Sequence, residues 1–253
     1  YYMLGRRRIG CWDKSGHGTV DLPHAIRYSC NVYFFHTGLD CGVAPIVEVA
    51  RRAGFGRKTG IDLDVDSPGL LPDPAWKRRK LRDTWRDGDT CNLSIGQGYL
   101  EATPLQMAVY AAVLASGGRL ARPHLLLATR PHGAPVFSPA LPPEPENLQL
   151  DPAAVRVVRE GMRDVVMAED GTGRRVRVAG FEMAGKTGTA EYGVKGEGRK
   201  HGWMIAFAPF DRPRYAEVMM LEDAVSGGLS VAPRLQVLFD GLLRPAEPEE
   251  GRG

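Results

Sequence analysis

The chain carries the stretch Ala184-Gly185-Lys186-Thr187-Gly188-Thr189-Ala190 in the last third of its 253 residues. The stretch sets one cation and two hydroxyls among residues that are too small to obstruct a ligand. Segments rich in β-forming residues lie on either side of it, at 176–182 and 203–210, so the pattern predicts a strand at the wall of a cleft. Small residues also leave the backbone accessible, which lets a peptide bind along the strand edge as an added strand.

A second Lys-Thr-Gly triplet occurs at Lys58-Thr59-Gly60. It follows a predicted helix end at Gly54 and precedes Asp62-Leu63-Asp64, where a lysine most simply points into solvent. The later copy follows a predicted strand, and a substrate-binding triplet of this kind requires that context. We therefore predict that Lys186, and not Lys58, is the functional lysine.

The third feature is Ser29-Cys30-Asn31, far upstream of the lysine stretch. Alone, a serine and an asparagine at this spacing are as well explained by the capping of a helix. Together with Lys-Thr-Gly they form two of the three motifs of serine acyl-transfer enzymes that use a Ser-x-x-Lys nucleophile. No serine of this chain has a lysine three residues later, so the third motif is not among these residues.

The helices and strands predicted from the sequence indicate a mixed α and β fold. Asp21 and Pro23 start an apolar segment that runs to Phe35, with an interruption at 29–31. Thr103, with Gln106 three residues later, forms a capping box that starts a further helix, and Gly117-Gly118 ends it. The other predicted elements are helices at 44–53, from Asp151-Pro152 and at 231–243, antiparallel strands at 176–182, 203–210 and 215–221, and irregular segments at 56–92 and 131–145.

Composition excludes some classes of protein. The chain has 43% hydrophobic residues and a formal charge of +3, which are ordinary values for a globular domain. The basic cluster Lys77-Arg78-Arg79-Lys80 does not predict a nucleic-acid site, because Asp83, Asp87 and Asp89 follow at once and oppose its field. The chain begins at Tyr1 and lacks Ser-x-x-Lys and any long apolar run, so we expect it to be a fragment whose N-terminal part, with any membrane anchor, is missing.

These motifs, in their order and separations, resemble the transpeptidase domain of class B penicillin-binding proteins. The resemblance covers nearly the whole chain. It rests on Ser29-Cys30-Asn31, Ser94-Ile95-Gly96-Gln97-Gly98-Tyr99, Thr103-Pro104-Leu105-Gln106 and the stretch 184–190. Further pieces are similar to the elongation-type subfamily, penicillin-binding protein 2: Gly16-His17-Gly18, Phe55-Gly56, Thr59-Gly60-Ile61-Asp62 and Gly88-Asp89-Thr90.

The resemblance implies an α+β fold like that of penicillin-binding proteins and serine β-lactamases, with an antiparallel sheet flanked by helices. It implies a partial transpeptidase domain at 1–245, and the residues that follow Pro245 predict a disordered tail at 246–253. The implied reaction is serine acyl transfer that cross-links peptidoglycan stem peptides ending in D-Ala-D-Ala and is blocked by β-lactams. The nucleophilic serine and its base lysine belong to the absent Ser-x-x-Lys motif.

The resemblance also implies roles for the residues that are present. Ser29 relays a proton to the departing D-alanine nitrogen, and Asn31 orients the substrate backbone. Lys186 attracts the terminal carboxylate, and Thr187 and Thr189 offer it their hydroxyls. The backbone N–H of Thr189 is one of two oxyanion-hole donors, and Gly188 keeps the site free for the ligand.

A possible metal site consists of Cys11, His17 and Cys30, three residue types that bind zinc. Relatives of penicillin-binding protein 2 with a structural zinc match His17 and Cys30, and have an aspartate where this chain has Cys11. The fourth ligand is then expected upstream of Tyr1. The alternatives are a disulfide among the four cysteines or buried thiols. Cys41 and Cys91 have no predicted role, and no organic cofactor is expected.

The partners implied are the peptidoglycan stem peptide, β-lactams and, through the full-length protein, a shape-determining glycosyltransferase complex. No nucleic acid is expected. The implied location is the inner (cytoplasmic) membrane, with the catalytic domain on its periplasmic side. Two alternatives stay open: a D,D-carboxypeptidase or β-lactamase of the same superfamily, and a non-catalytic β-lactam-binding scaffold. His201 is expected at the rim of the cleft, as a surface residue or a substrate contact.

Overall fold

The computed structural model describes residues 1–133, 135–193 and 198–244. The helices are α1 Leu22–Tyr28, α2 Asn31–Cys41, α3 Val43–Arg52, α4 Pro74–Leu81, α5 Asp87–Ser94, α6 Pro104–Ala115, α7 Pro152–Met167 and α8 Ala232–Leu243. The strands are β1 Tyr2–Leu4, β2 Arg7–Ile9, β3 Arg119–Leu120, β4 Ala128–Thr129, β5 Ser138–Pro139, β6 Glu146–Asn147, β7 Ala184–Glu191, β8 Lys200–Ala208 and β9 Tyr215–Leu221. The α+β class predicted from the sequence is confirmed.

The chain divides into two compact units. The first unit consists of Tyr1–Gly16 and Asn31–Val155, and the second of His17–Cys30 and Arg156–Gly253. Within the described residues, no helix is long and apolar enough to cross a membrane. The predicted disordered tail at 246–253 lies outside the described residues.

The first unit is mostly helical. The predicted capping box is present, since Thr103 Oγ1 accepts from Gln106 N at 3.1 Å and Gln106 Oε1 accepts from Thr103 N at 2.9 Å. Gln106 is only 3% exposed, and its amide also donates to the carbonyls of Arg57 and Pro68. One glutamine therefore starts α6 and holds the preceding loop against it.

The prediction of an irregular segment at 56–92 is wrong over two stretches, which form α4 and α5. Asp73 caps α4 by accepting from Trp76 N at 2.7 Å, and Pro74 occupies its first turn. Lys77 is 2% exposed, and its ammonium donates to Asp89 at 2.7 Å, in α5. Its charged sequence hid α4, because the buried residue of this helix is Lys77 and sequence patterns detect apolar faces.

The second unit contains a three-stranded antiparallel sheet in the order β7-β8-β9. Lys186 pairs with Ile205, and Ile205 with Val218. The strand predicted at 215–221 is confirmed, and that at 203–210 forms with shifted bounds as β8. The predicted helix at 231–243 forms as α8, preceded by a π-helical turn at Gly227–Val231.

The strand predicted at 176–182 is wrong. This segment begins in a 3₁₀ turn at Arg174–Val176 and turns again at Gly180, whose φ is +88°. Val176 and Val178 are fully buried without belonging to the sheet. Two buried residues separated by one other residue give the period of two that is typical of a strand, although this segment makes no strand pairing.

The core of the second unit lies between the sheet and its helices. Its largest fully buried side chains include Met183, Met204, Phe207, Leu235 and Phe239. Helix α1 packs closely on α7, since a Cβ built on Gly161 meets the Ile26 side chain at 2.9 Å. The helix that contains Ser29 at its end is thus part of this core.

The π-helical turn packs tightly against the sheet at Gly227. A Cβ at this position lies 2.1 Å from the carbonyl oxygen of Trp203 and 2.6 Å from that of Gly188, and neither backbone atom can move without disturbing the β7–β8 ladder. We expect Gly227→Ala to lower the free energy of unfolding by about 2–3 kcal/mol, measured by urea denaturation.

Gly241 provides the matched control, since it lies exposed in α8 with no atom within 4 Å of a Cβ. Gly241→Ala should raise the free energy of unfolding by about 0.5–1 kcal/mol, because alanine loses less backbone entropy in a helix. Equal effects of the two substitutions would contradict the packing described.

Candidate active site

Ser29 lies at the end of α1. Asp21 starts this helix by accepting from His24 N at 3.0 Å, and Ser29 ends it in a left-handed conformation with φ 55° and ψ 51°. The predicted interruption at 29–31 is confirmed, since α2 begins at Asn31. A left-handed serine is disfavoured, and such residues persist only where their surroundings hold them.

The structure places Lys186 in contact with Ser29. The Lys186 ammonium donates to Ser29 Oγ at 2.8 Å and to the carbonyl of Thr187 at 3.1 Å. The two residues are 157 positions apart in the sequence. The fold therefore brings Ser29 of the first motif and Lys186 of the second together inside the second unit.

Lys186 is partly exposed, and the packing around its ammonium desolvates this group. This desolvation lowers the pKa of Lys186 from 10.5 to about 8. Burial disfavours the charged form of a lysine, so Lys186 becomes able to exchange its proton near neutral pH. At pH 7 it is still mostly charged and presents a positive potential to a ligand.

The two threonines of β7 have different surroundings. Thr187 Oγ1 donates to Thr172 Oγ1 at 3.1 Å, in the turn that follows α7. Thr189 is exposed, and its Oγ1 accepts from Gly227 N at a long 3.5 Å. The structure thus directs the Thr187 hydroxyl toward a protein partner and leaves the Thr189 side chain at the surface.

Gly188 lies between these threonines, paired with Trp203 of β8. A Cβ at Gly188 meets the Trp203 Cβ at 3.2 Å, and one at Gly185 lies 2.6 Å from the Ile205 carbonyl. Crowding from the neighbouring strand therefore favours glycine at 188 in addition to any demand of a ligand. The sequence shows the glycine but not this neighbour.

The structure places the earlier Lys58-Thr59-Gly60 copy in a loop. Asp66 accepts from Thr59 Oγ1 at 3.1 Å and from Gly60 N at 2.7 Å. Lys58 and Thr59 line a cavity of about 270 Å³ within the first unit, together with Arg57, Arg122 and Gln106. The copy lacks the strand context of Lys186.

Asn31 and the predicted metal ligands are divided between the two units. Asn31 is the first residue of α2 in the first unit, and its backbone N–H donates to Cys11 Sγ at 3.3 Å. His17 and Cys30 belong to the second unit, where His17 stacks on Tyr28 at 5.4 Å between ring centroids. None of the four cysteines forms a disulfide, so that alternative is not realised.

His201 lies in β8, where it pairs with Ala190. Its ring stacks on that of Tyr192 at 3.8 Å between centroids, and the Tyr192 hydroxyl donates to Asp223 at 2.9 Å. The structure shows these protein contacts for His201 beside the end of β7. The sequence analysis did not identify Thr172 or Gly227 as site residues. The available signal was that each has glycine beside it in the sequence, in Gly171-Thr172-Gly173 and in Gly227-Gly228.

Comparisons with protein families and with known sequences point to the same family. A family model for the penicillin binding protein transpeptidase domain matches residues 1–239. The chain is 38% identical over 242 residues to the peptidoglycan D,D-transpeptidase MrdA of Acinetobacter baumannii, and this match covers 90% of the chain and 35% of that protein. It is 34% identical over 267 residues to MrdA of Haemophilus influenzae, with 98% of the chain and 40% of that protein covered.

Solved structures of similar proteins have the same fold. One is PBP2 of Helicobacter pylori in complex with MreC, with a TM-score of 0.84, 32% identity and coverage of 96% of this chain and 43% of that chain. Another is PBP2 of Pseudomonas aeruginosa in complex with WCK 5153, with a TM-score of 0.83, 35% identity and coverage of 97% and 55%. The chain spans 35–40% of the length of the two MrdA relatives.

The lowered pKa of Lys186 predicts a dependence of stability on pH. The folded chain releases this proton near pH 8, whereas the unfolded chain holds it to its ordinary pKa of 10.5. Between these values the unfolded state binds more protons, so this residue makes the folded state more stable as pH rises. We expect wild type to gain about 3 kcal/mol over Lys186→Met across this range.

The measurement is urea unfolding of both proteins at a series of pH values between 8 and 10.5. The other titrating groups contribute equally to the two proteins, so their difference isolates Lys186. Unfolding free energies that stay parallel across the range would show that the Lys186 ammonium is hydrated as in the unfolded chain.

Proposed function

The chain belongs to the penicillin-binding protein transpeptidase domain family, and from this premise we propose that its full-length protein is a peptidoglycan D,D-transpeptidase. The family and the likeness to penicillin-binding protein 2, both predicted from the motifs, are confirmed. The observation that carries the proposal is the contact of the Lys186 ammonium with Ser29 Oγ at 2.8 Å. It provides a charged, proton-exchanging pair beside a strand able to bind a peptide.

The reaction is an acyl transfer in two steps. A serine hydroxyl attacks the penultimate carbonyl of a stem peptide that ends in D-Ala-D-Ala, which forms an ester and releases D-alanine with a proton. The amine of a second stem peptide then attacks the ester, which forms the cross-link and returns the serine. The nucleophile and its base belong to a Ser-x-x-Lys motif that these 253 residues do not contain.

Ser29 and Lys186 act on the leaving group. The departing D-alanine nitrogen needs a proton, and Ser29 Oγ is able to pass one on because it accepts from the Lys186 ammonium at 2.8 Å. The pKa of Lys186, lowered by desolvation to about 8, lies close to a physiological pH, as efficient proton transfer requires. Asn31 serves as the side-chain amide that orients the substrate backbone.

Strand β7 binds the substrate. It is an outer strand of its sheet, with β8 on one side and no strand on the other within the described residues. A stem peptide adding to that edge brings its terminal carboxylate to the positive potential of Lys186 and to the Thr187 and Thr189 hydroxyls. The backbone N–H of Thr189 then serves as one donor of the oxyanion hole.

The same site accounts for β-lactams as inhibitors, since they carry an acylating carbonyl and a carboxylate at a similar separation. We propose a location at the inner (cytoplasmic) membrane through a segment outside this chain, with the catalytic domain on the periplasmic side. The complex of the Helicobacter pylori relative with MreC supports a shape-determining assembly as partner. A glycosyltransferase in that assembly is part of the same proposal.

The predicted zinc site of Cys11, His17 and Cys30 is a separate part of the proposal. It is supported by the donor types, two thiols and an imidazole. A bound zinc would serve structure rather than catalysis, since closed thiolate sites contribute folding energy. The fourth ligand is assigned to a residue outside this chain.

Fluorescent penicillin tests the enzymatic proposal. The full-length protein should be labelled covalently, and this chain alone should not, because it lacks the nucleophile. In the full-length protein, Lys186→Ala should slow acylation by about a hundredfold or more, since it removes the charge that acts on the carboxylate and the leaving group. The readout is the second-order rate constant of labelling.

Lys58→Ala is the matched control, because it alters the other Lys-Thr-Gly copy and should leave acylation unchanged. A full-length protein that has no Ser-x-x-Lys motif, or that is never labelled, would refute the enzymatic proposal in favour of a non-catalytic β-lactam-binding scaffold. Equal losses from the two lysine variants would refute the assignment of Lys186.

Metal analysis tests the zinc proposal. The full-length protein should contain about one zinc per chain, and Cys30→Ser should lose it and unfold at a lower temperature. Cys41→Ser, at an exposed cysteine with no predicted role, should keep both the metal and the stability. Wild-type protein purified without chelators and free of zinc would contradict the metal site and leave the catalytic proposal intact.

A further inference from the structure

The turn Asp170-Gly171-Thr172-Gly173 touches both motifs of the candidate active site. Thr172 Oγ1 donates to the carbonyl of Arg27 at 3.3 Å and accepts from Thr187 Oγ1 at 3.1 Å. Arg27 lies two residues before Ser29, and Thr187 directly follows Lys186. One hydroxyl therefore links the helix end that carries Ser29 to the strand that carries Lys186.

The same turn contacts α1 at a second point. The Asp170 carboxylate accepts from the guanidinium of Arg27 and from the Tyr28 hydroxyl, the latter at 3.1 Å. The Nε atom of Arg27 is buried without a hydrogen-bond partner, and Asp170 supplies an anionic partner at the other end of this guanidinium. The last turn of α1 is thus bound through a backbone carbonyl and through two side chains.

The backbone of the turn has little freedom to move. A Cβ at Gly171 lies 2.4 Å from the carbonyl oxygen of Val165, which also accepts from Gly173 N at 2.9 Å. On the other side, a Cβ at Gly228 lies 2.4 Å from the carbonyl oxygen of Thr172. Helix α7 and the π-helical turn therefore hold the turn in place, and with it the position of the Thr172 hydroxyl.

Ser29 needs such support. Its left-handed backbone, with φ 55°, is disfavoured for a residue with a Cβ, and it ends a helix of only 7 residues. A short helix has little stability of its own and takes its position from tertiary contacts. The turn supplies those contacts within two residues of Ser29.

We propose that Asp170–Gly173 is a clasp which holds Ser29 against Lys186, and that Thr172 is its positioning residue for acyl transfer. The proposal rests on the function proposed above. Thr172 has no chemical role in it. Its hydroxyl keeps the end of α1 in register with β7, so that the proton path from Lys186 through Ser29 stays short.

The test compares Thr172→Val with Thr172→Ser in the full-length protein. Valine keeps the shape and removes the hydroxyl, whereas serine keeps the hydroxyl. We expect Thr172→Val to lower the acylation rate constant for penicillin about tenfold, as the loss of a hydrogen-bonded pair implies. Its dissociation constant for penicillin should change much less, because Lys186 and Thr189 remain in β7. Thr172→Ser should restore the wild-type rate.

Thr129→Val, at an exposed threonine in β4, is the control for the substitution itself and should acylate as wild type. Asp170→Asn supplies a second variant at an exposed position and should slow acylation in the same step, in case the valine variant does not fold.

Wild-type rates in both Thr172→Val and Asp170→Asn would overturn the clasp, as would equal losses in the valine and serine variants. Failure of the wild-type protein to be labelled would instead refute the proposed function. The two failures are therefore distinguishable.

Discussion

The contact between the desolvated Lys186 ammonium and Ser29 Oγ is the interaction on which the candidate site depends. Among the described residues, the Lys186 ammonium has neutral hydrogen-bond partners, the Ser29 hydroxyl and the Thr187 carbonyl, and no carboxylate. Neutral partners compensate for lost hydration incompletely, and the pKa of Lys186 falls to about 8 as a result. A carboxylate partner would have fixed the charge and taken the place of an anionic ligand.

The position of Lys186 in β7 depends on close packing between this strand, β8 and the π-helical turn. Glycine occurs at two points where another backbone approaches closely: at Gly185 against Ile205, and at Gly227 against Gly188 and Trp203. The π-helical turn that contains Gly227 also donates toward Thr189 Oγ1 at 3.5 Å. π-Helical turns are rare, and they are found frequently at functional sites. The strand that we propose as the substrate-binding edge is therefore supported by backbone at Gly185 and Gly188.

Sequence patterns predicted correctly those elements that depend on neighbouring residues, such as capped helix starts. Asp21 with Pro23, and Thr103 with Gln106, started helices where expected, and β9 matched the predicted strand. The errors came from tertiary contacts. The buried residue of α4 is Lys77, which pairs with Asp89 of α5, and burial of Val178 without strand pairing imitated a strand. The motifs named Ser29 and Lys186, but their contact, the lowered pKa and Thr172 depend on packing between segments far apart in the sequence.

Because Ser29 and Lys186 are far apart in the sequence, the end of α1 needs contacts of its own to hold it near β7. The second unit is built from residues 17–30 and from residues 156 onward, and the whole of 31–155 separates these two segments in the sequence. The entropy of closing so long a loop rises slowly, by about 0.6 kcal/mol for each doubling of length, so the long intervening segment costs little more than a short one. Closure does not orient the ends to the accuracy that a 2.8 Å hydrogen bond demands. Orientation comes from packing of Ile26 on Gly161 and from the hydroxyl of Thr172, which fix α1 on the sides facing α7 and β7.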